Sequence, residues 1–146
     1  MTILISHRGN INGKNPQQEN NPDYIDKTLK QGFNVEIDVW LKNGNYYLGH
    51  NEPAYFVDIN WFKAKPLWCH AKNVEALPKL INDGLHCFWH QTDDVTLTNH
   101  YYLWTYPGKK LVDPGRSIAV LPERANWNLE QEKFAGICSD YIEKYK

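Results

Sequence analysis

The sequence predicts a single domain of mixed α/β class with a largely parallel sheet. Short runs of β-branched and aliphatic residues alternate with short helical patterns, which is typical of strands and helices in βα units. No repeat, low-complexity tract or linker divides residues 1–146. A complete (β/α) barrel takes about 250 residues, so a barrel of this length must have lost or shortened most of its outer helices.

The individual elements follow from local patterns in chain order. Residues 2–6 form a buried aliphatic run, and Pro22 begins an amphipathic pattern that Gly32 ends. Asn43 and Gly44 have the composition of a tight hairpin turn between two strands. A second helix is expected over 74–81, shortened or kinked by Pro78. The predicted strands cover residues 2–6, 33–41, 46–48, 67–70, 86–89, 101–106, 117–121 and 136–139.

Composition excludes several classes of protein. The net charge of −1 gives no reason to expect a nucleic-acid partner. Three cysteines at wide spacing, without a CxxC pair, argue against a disulfide scaffold and favour a reducing compartment. The first ten residues lack the basic start and long apolar run of a signal peptide, and no stretch is long enough to span a membrane. We therefore expect a cytoplasmic protein.

Charged residues recur at the ends and on one face of the first strands. His7-Arg8-Gly9 follows the first strand, Glu19-Asn20 lies in the next loop, and His50 follows the hairpin. Side chains alternate along a strand, so Glu36 and Asp38 point to one face of the second strand. Two adjacent carboxylates among apolar neighbours repel each other, and a divalent cation removes that cost. Oxygen ligands of this kind suit Mg²⁺ or Ca²⁺.

The order of these four pieces resembles the glycerophosphodiester phosphodiesterases, in the superfamily of phospholipase C-like phosphodiesterases with TIM barrels. Related patterns occur in sphingomyelinase D-like phospholipases. The resemblance is close over the first third of the chain and looser afterwards, at His70-Ala71-Lys72, Trp104-Thr105 and Cys138-Ser139-Asp140. It implies a truncated or minimal (β/α) TIM-type barrel with reduced outer helices, and an unusually short member of the family.

The resemblance also implies roles for single residues. His7 and His50 would be the acid–base pair, and Arg8 and Lys72 would hold the phosphate of a small phosphodiester. The implied metal ligands are Glu36, Asp38, Glu19 and His70. The family carries an acidic residue where this chain has His70, and an imidazole there makes Mn²⁺ or Zn²⁺ the alternatives to Mg²⁺ or Ca²⁺.

Other histidines and aromatic residues leave alternatives open. His86 and His90 are four residues apart but lack the glutamate of a metalloprotease motif, so a zinc site with His100 is not favoured. His90, with Asp93 or Asp94 behind it, is expected to reach the pocket from a strand end. Trp104 is a second expected pocket residue, although core packing is its ordinary role.

The predicted activity is hydrolysis of a glycerophosphodiester or a similar head group by a metal-dependent enzyme. Two alternatives remain at this point. The first is a sphingomyelinase D-like lyase that stops at a cyclic phosphate, and the second is a non-catalytic protein that binds a phosphate ligand on the same fold. A shortened barrel also allows an oligomer, in which a partner subunit covers what the missing helices leave exposed.

Overall fold

The computed structural model of the chain describes residues 1–130 and 133–146. These residues form two α-helices, α1 (Pro22–Lys30) and α2 (Ala76–Asn82), together with short 3₁₀ helices and a sheet. The ten strands are β1 (Ile3–His7), β2 (Asn34–Lys42), β3 (Asn45–Leu48), β4 (Tyr55–Val57), β5 (Leu67–Ala71), β6 (Cys87–Trp89), β7 (Val95–Leu97), β8 (Leu103–Thr105), β9 (Ser117–Val120) and β10 (Gly136–Ser139).

Both helices are limited by their local sequence. The side chain of Asn21 caps α1 by accepting a hydrogen bond of 3.0 Å from the N–H of Asp23, and Pro22 occupies the first turn. Pro78 is the third residue of α2. An N–H in the first turn of a helix has no intrahelical acceptor, so Pro78 removes no hydrogen bond there. The predicted helix over 74–81 therefore forms as a short helix that begins just before its proline.

The strands form one mixed sheet. Parallel pairing runs through β6, β5, β2, β1, β10, β9 and β8 in that order. Antiparallel pairs join β3 to β2, β4 to β3 and β7 to β8. The two ends of the parallel series approach each other, because the ring of Phe88 on β6 stacks on that of Trp104 on β8 at 4.7 Å. The strand pairings found among the described residues do not join β6 to β8 directly.

Alternation along the strands divides the core in two. On β2, Val35, Ile37 and Val39 are fully buried and pack with Ile25 of α1 and Leu80 of α2. The opposite face of the sheet covers a second cluster of Ile5, Trp68, Phe88, Trp104, Ile118, Val120, Leu121 and Cys138. Glu36 and Asp38 project from β2 away from its aliphatic row, and both are buried. The sheet therefore places two carboxylates inside the protein.

The mixed α/β class predicted from the sequence is confirmed, and the sheet contributes more of the structure than the helices do. A TIM-type barrel is not shown by these pairings. The sequence reading also missed β4 and β7, two three-residue antiparallel strands at the margins of the sheet. No helix within residues 1–130 and 133–146 has the length and apolar character needed to cross a bilayer.

Candidate metal centre and active site

The carboxyl ends of the parallel strands surround one polar cleft of about 580 Å³. Parallel strands bring residues that are distant in sequence to one edge of a sheet, where α/β proteins bind their ligands. The cleft is lined by eight of the residues that the sequence singled out: His7, Arg8, Glu36, His50, His70, Lys72, His90 and Trp104. Asp38 lies beneath this surface and has no exposed area. Glu19 lines an adjoining cleft of about 380 Å³ that shares His7, Arg8 and His50 with the first.

Three side chains form a cluster suited to a cation. Ligand atoms of Glu36, Asp38 and His70 all lie within 4.8 Å of one another. The register of β2 with β5 places Asp38 directly opposite His70. As a result, Nδ1 of His70 is 3.2 Å from Oδ1 of Asp38 and 3.9 Å from Oε1 of Glu36. Two neighbouring strands thus supply two carboxylates and one imidazole to one point.

The electrostatics of this cluster favour a bound cation. Burial, followed by the charge of Asp38, raises the pKa of Glu36 well above its usual range. Burial alone would raise the pKa of Asp38 too, but the neighbouring imidazoles and the Arg8 guanidinium hold it well below its usual range. Oε2 of Glu36 and Oδ1 of Asp38 are buried and find no hydrogen-bond partner among the described residues. Two orphaned acceptors beside an imidazole nitrogen fit a divalent metal ion.

His7 is oriented by a carboxylate from the other end of the chain. Its Nδ1 donates to Oδ1 of Asp140 at 2.7 Å, which leaves Nε2 on the side of Glu36, 3.8 Å from Oε2. Asn10 donates to the same oxygen of Asp140 at 2.8 Å and accepts from the Tyr24 hydroxyl at 3.0 Å. Burial opposes the ionisation of Asp140, yet the hydrogen bond from His7 keeps its pKa below the usual value. Asp140 therefore remains a carboxylate that can stabilise a protonated imidazole.

Arg8 connects the predicted acid–base residue His50 to the carboxylates. Its Nη2 donates to Nδ1 of His50 at 2.6 Å and its Nη1 to Oε1 of Glu19 at 3.3 Å. Its Nε lies 2.9 Å from Oδ2 of Asp38. Arg8 adopts this position from a left-handed backbone conformation with φ of 59°, which is uncommon outside glycine. The guanidinium thus organises the site, in addition to any phosphate contact that it makes.

Glu19 lies outside the three-residue cluster. One of its carboxylate oxygens pairs with Arg8, and the other accepts from the backbone N–H of Asn15 at 3.1 Å. The next residue, Asn20, contacts Asp38 directly: its Nδ2 donates to Oδ2 and its Oδ1 accepts from the Asp38 N–H, both at 2.9 Å. Asn20 therefore holds the Asp38 carboxylate in place, while the ligand role of Glu19 stays a prediction.

Several cationic side chains face the same cleft. Nζ of Lys72 is 3.9 Å from Oδ1 of Asp38, and its side chain is 18% exposed. Lys14 and Arg124 line the cleft as well, and the guanidinium of Arg124 is 3.7 Å from Oδ2 of Asp140. Together these groups supply positive charge at the cleft, next to the carboxylates of Glu36 and Asp38.

His90 and Trp104 lie on the far wall of the cleft. Nδ1 of His90 donates to Oδ2 of Asp93 at 2.7 Å, while its buried Nε2 has no partner in the part of the chain that the structure describes. The expected Asp behind His90 is therefore Asp93, whereas Asp94 pairs with Lys109. Trp104 is 4% exposed and stacks on Phe88, so it is mainly a core residue that also lines the cleft.

Family models, curated proteins and solved structures gave no match to the chain. Evidence for a function of this chain therefore comes from its own residues.

The three histidines of the zinc site that the sequence did not favour do not come together in the structure. His86 and His100 stack on each other at 4.1 Å beside Trp68, in a separate cleft away from His90. Nε2 of His86 contacts Oγ1 of Thr98 at 2.8 Å. Burial, followed by the charge of His100, lowers the pKa of His86 to about 3. His86 is therefore a neutral residue that packs against Trp68 at the edge of the second core cluster.

The sequence reading missed the residues that orient the site. Asp140 stood in a segment that was noticed only as a closing strand, and Asn20 stood beside the glutamate that received the ligand role. A usable signal existed for both. Each is a short polar residue directly next to a strand end or a candidate carboxylate, where functional side chains need hydrogen-bond support.

Proposed function

We propose that this chain is a metal-dependent phosphodiester hydrolase of the glycerophosphodiester phosphodiesterase type, acting on a glycerophosphodiester or a similar head group. One observation supports the proposal above all others. The cation cluster of Glu36, Asp38 and His70 opens into the same cleft as the carboxylate-oriented His7 and the cation Lys72. Phosphate binding alone does not require an imidazole held by a buried aspartate beside a buried pair of carboxylates.

The proposal includes a truncated (β/α) barrel as the scaffold. Its support is the series of parallel neighbours from β6 to β8 and the stacking of Phe88 on Trp104, which brings the two ends of that series together. Most of the outer helices would be replaced by turns and by the β3–β4 hairpin. A cytoplasmic setting fits the three buried cysteines, which are free thiols.

Glu36, Asp38 and His70 would hold the metal ion, which when bound supplies positive charge to the phosphoryl oxygens. Nε2 of His7 takes the proton from the attacking hydroxyl of the substrate. A P–O bond forms to that oxygen as the bond to the leaving alkoxide breaks, and the alkoxide takes a proton from the protonated form of His50. In that form Nδ1 of His50 carries a hydrogen and turns from Arg8 to Oδ2 of Asp38, which lies 3.5 Å away. Water then opens the resulting cyclic phosphate with the proton transfers reversed.

The surrounding side chains bind and orient the substrate. Lys72 and Arg124 offer donors to the non-bridging oxygens from one side of the cleft, and Arg8 holds His50 near Asp38. Asp140 keeps the His7 ring in the orientation that aims Nε2 at the cation cluster. Preorganised donors and charges of this kind are the main source of catalysis in phosphoryl transfer.

The proposal is tested by metal depletion. Purified protein is treated with EDTA, dialysed, and assayed on glyceryl p-nitrophenyl phosphate and on glycerophosphocholine, before and after addition of Mg²⁺, Mn²⁺ or Zn²⁺. We expect activity only with metal, and a loss of about 100-fold or more in His7→Ala. His100→Ala, which removes an exposed imidazole from a different cleft, should retain full activity. Metal-loaded protein that cleaves neither compound contradicts the proposal.

Analysis of the products separates the hydrolase from the two alternatives. Free glycerol phosphate as the final product supports hydrolysis, whereas a persistent cyclic phosphate identifies a lyase. Phosphate binding without any turnover identifies a binding protein.

A further inference from the structure

His70 differs from the other cleft histidines in how its ring is held. Its Nε2 donates to the backbone carbonyl of His90 at 2.9 Å, and its ring lies 5.2 Å from that of Phe88 at an angle of 9°. A carbonyl oxygen only accepts, so Nε2 carries the hydrogen and Nδ1 of the neutral ring presents a lone pair. Histidines that bind metals characteristically donate their other ring nitrogen to a carbonyl or carboxylate in this way.

The lone pair of Nδ1 faces a carboxylate oxygen of Asp38 that lacks a partner, and Oε1 of Glu36 lies 3.9 Å away. Nδ1 lies 3.2 Å from Oδ1 of Asp38, and that oxygen has no hydrogen bond within the described residues. Two ligands bound about 2.1 Å from one ion at right angles are separated by about 3.0 Å. The spacing of the nitrogen and the oxygen is therefore that of two ligands of one metal ion.

The neighbourhood of the cluster also limits its negative charge. Asp38 already has the guanidinium of Arg8 at 2.9 Å and the ammonium of Lys72 at 3.9 Å. With His70 as the third ligand, only Glu36 and Asp38 contribute charge to the ion. Mg²⁺ and Ca²⁺ depend on several oxygen ligands and on charge, whereas an imidazole nitrogen forms a stronger bond to divalent transition metals.

We infer that His70 makes this cluster a transition-metal site, selective for ions of the Mn²⁺, Co²⁺ and Zn²⁺ class over Mg²⁺ and Ca²⁺. The inference deepens the proposed function, because it concerns the metal of the same site, but it is a statement about binding and not about turnover. The backbone carbonyl of His90 contributes to this selectivity, because it fixes the tautomer of the His70 ring.

Metal affinity measured directly tests the inference. Apo-protein is titrated with Co²⁺ and with Mg²⁺ by calorimetry, and the Co²⁺ complex is examined by visible absorption for nitrogen ligation. We expect the wild type to bind Co²⁺ more tightly than Mg²⁺ by about tenfold or more. His70→Asp, which restores a carboxylate, should lower the ratio of the two affinities by about tenfold and strengthen Mg²⁺ binding.

Two further variants keep the result interpretable. His70→Gln removes the nitrogen ligand without adding charge, and should weaken Co²⁺ binding while Mg²⁺ binding changes little. His100→Gln removes an imidazole outside the cleft and should leave both affinities unchanged. Circular dichroism checks that each variant is folded.

The outcomes separate this inference from the proposed function. Equal wild-type affinities for Co²⁺ and Mg²⁺, an affinity ratio that His70→Asp leaves unchanged, or no metal binding at all would each overturn the inference. Selective Co²⁺ binding by a protein that cleaves no phosphodiester would support it while refuting the hydrolase. Phosphodiester cleavage by a protein whose metal site prefers Mg²⁺ would support the hydrolase and overturn the inference about the metal.

Discussion

His7 donates a hydrogen bond of 2.7 Å from Nδ1 to Oδ1 of Asp140, which joins the end of β1 to the end of β10 across 133 positions of the chain. The pairing of β1 with β10 places Ser6 opposite Ser139. The residues that follow them, His7 and Asp140, therefore meet at the cleft. The orientation of His7 is consequently set by the strand that is last in sequence.

We expect Asp140→Ala to lower kcat by about tenfold or more, because the His7 ring loses the acceptor that fixes its tautomer. The KM should change less, since Asp140 is buried and its carboxylate faces His7 and Asn10. Steady-state kinetics on a glycerophosphodiester measure both values. Asp113→Ala, which removes an exposed carboxylate paired with Arg116, is the control. An unaltered kcat in Asp140→Ala would remove the orienting role.

His7→Ala and His50→Ala should each reduce turnover by about 100-fold or more on substrates with alkoxide leaving groups. Their losses should differ when the leaving group is p-nitrophenolate, which needs no proton. The defect of His50→Ala should then shrink, because His50 is assigned to the leaving oxygen, while the defect of His7→Ala should persist. The comparison uses the rates of each variant on a glycerophosphodiester with an alkoxide leaving group and on its p-nitrophenyl counterpart. Full activity in either variant takes that histidine out of the mechanism.

Lys72→Met should raise the KM and the inhibition constant for inorganic phosphate by about tenfold, because an ammonium group is lost from the wall of the cleft. The sensitivity of KM to salt should fall in the same variant. Lys79→Met is the matched control, since Lys79 pairs with Asp83 at 2.9 Å on α2, away from this cleft. A phosphate affinity equal to that of the wild type would show that Lys72 does not contact the anion.

The partly buried imidazole of His86 should make the protein less stable in mild acid. Its folded pKa of about 3 is below the ordinary value of 6.5, so the unfolded chain binds a proton first as the pH falls. The stability that this group contributes is complete above pH 6.5 and is lost progressively toward pH 3. Urea unfolding at pH 7 and pH 5 should show a smaller pH effect in His86→Phe than in the wild type.

The control for this measurement is His100→Gln. Burial is the larger cause of the His86 shift and the charge of His100 the smaller one, so most of the pH effect should remain in that variant. If His86→Phe and the wild type lose the same free energy of unfolding between pH 7 and pH 5, His86 is not the group responsible.

Local patterns were sufficient for most of the secondary structure and for naming most of the polar residues that the structure brings to one cleft. The alternation of Val35, Glu36, Ile37 and Asp38 predicted that both carboxylates share a face, and this holds because side-chain direction in a strand depends only on the strand itself. The missed strands β4 and β7 have three residues each and partly exposed patterns. Segments so short carry too few residues for a period to be recognised.

The sequence by itself determined which residues can do chemistry: the histidines, carboxylates and cations at strand ends, and the face on which Glu36 and Asp38 lie. Only the tertiary structure decided their partners, such as Asp140 for His7, Asn20 for Asp38 and the His90 carbonyl for His70. The physical reason is that residue type and alternation are local properties. A hydrogen-bond partner, by contrast, depends on the register between strands that are far apart in the chain, and no short-range pattern encodes that register.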